Sequence, residues 1–123
     1  MFEWFYDLLN RLDIRRERAR GVVNVTLLSV TSHRGRKTKS MQWNEVRQID
    51  AGRKPTGLVE YFYVVLFDEH GSILIDDAFS GFAEFQAAVL DHWPEIETAW
   101  TRVFTGSPDV EEYVTLWKRR ESY

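Results

Sequence analysis

The side chains best suited to bind something are four cations close together: Arg34, Arg36, Lys37 and Lys39, within Ser32-His33-Arg34-Gly35-Arg36-Lys37-Thr38-Lys39. Clustered guanidinium and ammonium groups beside turn amides make several charge-assisted hydrogen bonds to one phosphate. The same charges also keep an exposed hairpin soluble, so the run reads either as an anion site or as a solvated turn.

The remaining polar residues do not assemble into a catalytic pattern. Asp76 and Asp77 are neighbours at a strand end, and neighbouring strand residues point to opposite faces, which spoils a carboxylate dyad. His33, His70 and His92 have neither HExxH nor HxH spacing. Asp68-Glu69-His70-Gly71 reads as a tight turn, and His92 falls at a helix end, where the dipole favours a cation. Neither a glycine-rich phosphate loop nor a nucleophile elbow occurs. The chain has no cysteine, which removes disulfides, zinc–thiolate sites and thiol nucleophiles together. No catalytic residue, metal or other cofactor is expected, and the expected compartment is reducing and cytoplasmic.

Aromatic residues are abundant, at 15%. Trp43, Trp93, Trp100 and Trp117 would serve either as an exposed binding stripe or, at helix and strand spacing, as core. Phe2, Trp4, Phe5 and Tyr6 beside an arginine-rich stretch resemble an interfacial anchor, although Glu3 and Asp7 would be repelled by anionic lipid. Packing on the core or on a second copy accounts for the same residues.

These groups need a scaffold to position them, and 123 residues suffice for one domain with its own core. Phe2, Phe5, Leu9 and Leu12 recur at helical spacing, so residues 1–20 are expected to form an N-terminal helix stopped by Gly21. Residues 22–31 alternate as a strand, a hairpin turn is expected at Gly35, and a short strand returns through Met41 and Trp43. Val46 and Ile49 are three apart, which suggests a bend or bulge. Residues 50–57, with Gly52, Pro55 and Gly57, read as a loop. Residues 58–67 are almost wholly apolar and predict a central strand, followed by a return strand over 72–77. Ser80 is the expected cap of a helix carrying Phe82, Phe85, Val89 and Trp93 and ended by Pro94. A further helical turn or two carries Ile96, Trp100 and Val103. In the last segment, Ser107-Pro108, the acids at 109, 111 and 112 and the basic run 118–120 favour a helix. The alternation of Tyr113, Thr115 and Trp117 with Val114 and Leu116 points instead to a strand, and the helix is preferred.

The hairpin leading into Trp43-x-Glu45-Val46-x-x-Ile49, the strand 58–67, the turn at Gly71, the strand 72–77 and the helix of Gly81-Phe82 with Trp93 resemble a group of uncharacterised bacterial proteins with a pleckstrin-homology-like (PH-like) fold. The likeness covers about residues 22–103 and leaves 104–123 as a C-terminal segment. It implies an α+β fold, a strongly bent antiparallel sheet or partial barrel with a helix packed across one end; the expected N-terminal helix and C-terminal helices are additions to that pattern. It also implies a binding scaffold for phosphoinositides, peptides or protein partners, with the first hairpin loop as the anion site.

The net charge of −3 hides an asymmetry. Residues 1–54 carry 12 Lys/Arg against 6 Asp/Glu, and residues 55–123 carry 4 against 13. The halves either neutralise one another on folding or leave one basic face. No nucleic-acid reading motif is present, and nucleic acid is not an expected partner. No stretch is long and apolar enough for a membrane span, and the acidic N-terminus lacks the features of a signal peptide. The expectation is a non-enzymatic binding module that recognises a protein partner or a second copy. Anionic phospholipid, held by Arg34, Arg36, Lys37 and Lys39, is the alternative.

Overall fold

The computed structural model describes residues 21–55, 60–106 and 111–120. The N-terminal helix expected over 1–20 and the cap expected at Ser107 lie outside the described residues. The fold is α+β, with two antiparallel sheets and two helices. The first sheet is a meander of β1 (Val22–Val25), β2 (Ser29–Arg34) and β3 (Lys37–Gln42), paired in that order. The second contains β4 (Gln48–Pro55), β5 (Glu60–Phe67), β6 (Ser72–Asp76) and β7 (Glu112–Lys118), in the order β6-β5-β4-β7. Between β6 and β7 the chain forms α1 (Phe82–His92), a 3-10 turn (Pro94–Ile96) and α2 (Glu97–Phe104).

The two sheets do not close into a barrel. The edges of β3 and β6 instead flank a cleft of about 270 Å³, across which the Lys39 ammonium donates to the Ser72 carbonyl at 3.2 Å. One core serves both sheets. Val23, Val30 and Met41 enter it from the first, and Ile49, Val64, Leu66 and Ile75 from the second. Phe85, Val89, Ile96, Trp100 and Val103 close it from the helical side. The alternation of the strands produces this arrangement, since residues two apart share a face: Phe62, Val64 and Leu66 are all buried on the inner face of β5.

Several expectations hold. Gly35 makes the β2–β3 turn with φ of 62°, a left-handed conformation that glycine adopts without strain. The chain bends where Val46 and Ile49 suggested, through a 3-10 turn at Trp43–Glu45. β5 is central, lying between β4 and β6. Asp68 Oδ1 accepts from the amides of His70 and Gly71, both at 2.8 Å, and forms the expected turn. α1 ends just before Pro94.

Four expectations are corrected. Residues 22–31 are not one strand, because Thr26 folds the chain back. Its hydroxyl accepts from the amides of Leu28 and Ser29 at 3.2 and 3.0 Å, an ST-type turn that competes with strand pairing. Residues 50–55 are strand rather than loop: Gly52 pairs with Tyr63 in the middle of β4. Glycine is there because the Tyr63 ring lies over it, and an added Cβ would come within 2.2 Å of that ring.

The third correction concerns Ser80, which does not cap α1. Its backbone bonds to β1 instead, through Val23 N to Ser80 O at 2.9 Å and Ser80 N to Gly21 O at 3.0 Å. Gly81 takes the cap position with φ of 89°. The fourth is residues 112–118, which form a strand and not a helix. Burial of Val114 and Leu116 against the core outweighs the helix-favouring charges.

Gly52→Ala is expected to lower stability by about 1–3 kcal/mol, as overpacking does. Gly71→Ala, where an added Cβ meets nothing within 4 Å, should change it by less than about 0.5 kcal/mol. Denaturant unfolding of both variants checks this, and equal losses would show that the Tyr63 ring is not the constraint.

Candidate functional site

An open groove of about 400 Å³ lies where the β1–β2 turn, the Trp43–Glu45 turn, the end of α1 and the end of β7 meet. It is lined by Leu27 and Leu28, Gln42, Trp43 and Asn44, His92 and Trp93, and Trp117 and Arg119. Each wall has a local cause. The Thr26 turn lifts Leu27 and Leu28 out of the strand pleat and leaves them 91% and 78% exposed. Trp43 holds that turn in place: its indole N–H donates to the Thr26 carbonyl and its amide to the Leu28 carbonyl, both at 2.9 Å. Trp43 packs on His92 with ring centroids 4.9 Å apart and on Trp93 at 6.1 Å.

Trp117 reaches the groove through a register shift in the β4–β7 pairing. Ile49 opposes Trp117 and Asp50 opposes Thr115, leaving Leu116 as an extra residue. The bulge lets both Leu116 and Trp117 pack against the core, where strict alternation would have separated them. The Trp117 ring lies 5.3 Å from that of Trp93. Arg119 then crosses back, its Nη2 donating to the Asn44 carbonyl at 2.6 Å.

The chain matches no family model, no curated protein and no solved structure. The functional reading therefore rests on the arrangement of its side chains.

The basic hairpin is built differently from its expectation. Arg34, Lys37 and Lys39 share one face of the β2–β3 ladder, since Arg34 opposes Lys37 and Lys39 opposes Ser32. Arg36 sits in the turn. Lys39 already donates to Ser72, and the Arg34 charge acts on Asp76. Two of the four cations are thus partly engaged within the fold. Asp76 is 6% exposed. Burial pushes its carboxyl above the ordinary range, opposed by the Ala78 amide at 2.9 Å and by Arg34.

The four described tryptophans do not form one stripe. Trp100 is buried among Phe62, Phe82 and Phe85, with its indole N–H on Gln86 Oε1 at 3.0 Å. Trp43 and Trp93 are buried yet line the groove, and Trp117 is half-buried there. Sequence reasoning missed Leu27, Leu28 and Arg119. The signal for the leucines was Thr26, whose hydroxyl favours a turn. Arg119 carried no signal beyond its basic neighbours.

A second polar cluster lies on the other face of β4. Asp50 is 2% exposed and accepts from Gln48 Nε2 at 2.9 Å and from the Tyr113 hydroxyl. Partial burial, this hydrogen bond and the Asp50 charge push the Tyr113 phenol up to about 12. Folding therefore favours the neutral phenol: the contribution is complete below pH 10.0 and is lost as pH rises through about 12. An ultraviolet difference titration against Tyr113→Phe should show this phenolate appearing near pH 12, and Asp50→Asn should bring it down toward 10.0. An unmoved titration would show that Asp50 does not govern it.

Proposed function

We propose that this chain is a non-enzymatic binding module that recognises a protein partner through the aromatic groove and the Leu27–Leu28 turn. The observation that carries the reading is the pair of adjacent leucines, 91% and 78% exposed, beside a concave surface lined by three indoles. Large apolar side chains held out in water beside a preformed hollow mark interaction surfaces. The backbone that carries the leucines is fixed by the Thr26 hydroxyl and by Trp43, so little backbone entropy would be lost on docking. The PH-like resemblance supports a binding role over catalysis, and two antiparallel sheets with a helix against them are compatible with such a scaffold. Among the described residues, no helix is long and apolar enough to cross a membrane.

Affinity capture from the native host with the wild-type chain, a Leu27→Ser/Leu28→Ser variant and an Arg36→Ser/Lys37→Ser variant tests the reading. Both substituted pairs are exposed, so the fold is expected to survive in each case. A partner kept by the hairpin variant and lost by the leucine variant is the expected result. The same proteins retained by all three would remove the groove from consideration.

The second reading is anion or phospholipid binding at the hairpin, favoured by Arg34, Lys37 and Lys39 sharing one face. If it holds, the chain pellets with vesicles of anionic phospholipid at low salt, and replacing Arg34, Arg36, Lys37 and Lys39 by Ser abolishes pelleting. A chain that stays in the supernatant, or pelleting unaffected by the substitutions, ends this reading.

A further inference from the structure

The charge around the groove narrows the chemistry of its occupant, given the reading of that groove as a docking surface. Of the described lining residues, Arg119 is the one arginine or lysine, and none is a carboxylate. Arg119 belongs to the run Lys118-Arg119-Arg120 at the end of β7. Among the described residues, no carboxylate pairs with any of the three. Arg119 uses one donor on Asn44, and a guanidinium has five in a fixed fork. Arg47 and Arg102, by contrast, are paired, with Glu69 at 3.0 Å and with Glu112 at 2.7 Å.

A protein of net charge −3 thus presents a largely aromatic hollow with positive charge at its rim and, among the described residues, no acid in its lining. A ligand with large apolar side chains alone would leave those cations unmatched. One with apolar side chains and nearby carboxylates would bury its rings or branched chains against Trp43, Trp93, Trp117 and the leucines while meeting Arg119. Lysine-bearing ligands would face repulsion. We infer that the groove recognises an acidic peptide segment in which Asp or Glu lies next to a large aliphatic or aromatic residue.

Selection from a displayed random dodecapeptide library on the full-length chain tests this. Enriched peptides are expected to place Asp or Glu beside Leu, Ile, Phe or Trp. A synthesised representative should shift the indole N–H signals of Trp93 and Trp117 more than that of Trp100. Its affinity should fall roughly tenfold in Leu27→Ser/Leu28→Ser, as it does when a central anchor is removed. Arg119→Gln should weaken it as well. Because Arg119 also holds Asn44, a Lys118→Gln/Arg120→Gln variant tests the charge without touching that bond, and it too should bind less tightly.

Enrichment of basic or uncharged apolar peptides at the groove would overturn the acidic preference while leaving the groove a docking surface. Peptides that shift only Trp100, or a library with no enrichment over bare support, would also overturn the inference. The capture comparison decides the docking reading separately.

Discussion

The indole of Trp43 is the junction on which the rest of the molecule depends. It stands where the chain leaves the first sheet for the second. Its ring packs against His92 and Trp93 at the end of α1, its N–H holds the Thr26 carbonyl, and the backbone amide of the same residue holds the Leu28 carbonyl. A buried indole is well placed for this because it offers a large apolar body and a single directional donor. The β1–β2 turn, the crossing between sheets and the end of α1 therefore share one constraint. The candidate groove inherits its shape from the same constraint, since all three of those parts line it. Fold and site are not separable here: a truncation of Trp43 would open the core and release the leucines together.

How much of this was legible in the sequence depended on whether local and long-range forces agreed. Residues 60–67 were readable because nearly every side chain is apolar and the strand is central. α1 was readable because Phe82, Phe85 and Val89 keep helical spacing and Pro94 blocks continuation. The errors fall where a single contact from far along the chain decides the outcome. Gly52 looks like a loop residue until Tyr63 is seen lying over it. Residues 112–118 carry helix-type charges at both ends, yet β4 offers a ladder, and pairing with it buries Val114 and Leu116. Ser80 has the chemistry of a cap, but its backbone is committed to β1 and Gly81 takes the turn.

The candidate site was less legible than the fold for a related reason. Charge is visible in a sequence, whereas exposure is not. Arg34, Arg36, Lys37 and Lys39 stand out as a run, and the fold engages two of them with Ser72 and Asp76. Leu27 and Leu28 read as ordinary strand residues, and only the Thr26 turn turns them outward. Trp117 could be assigned to an inner face only once the extra residue in β7 was known, because an odd insertion reverses the parity of everything beyond it.

The Lys39–Ser72 contact has a bearing on how the molecule behaves in company. β3 and β6 each end a sheet, and a bare strand edge invites a neighbouring chain to extend it, the first step of ordered self-association. Here a flexible cation from one edge occupies a carbonyl on the other. An incoming strand would have to displace the ammonium and leave its charge without that oxygen. The seam that keeps this fold from closing on itself is thus also guarded against being closed by a stranger.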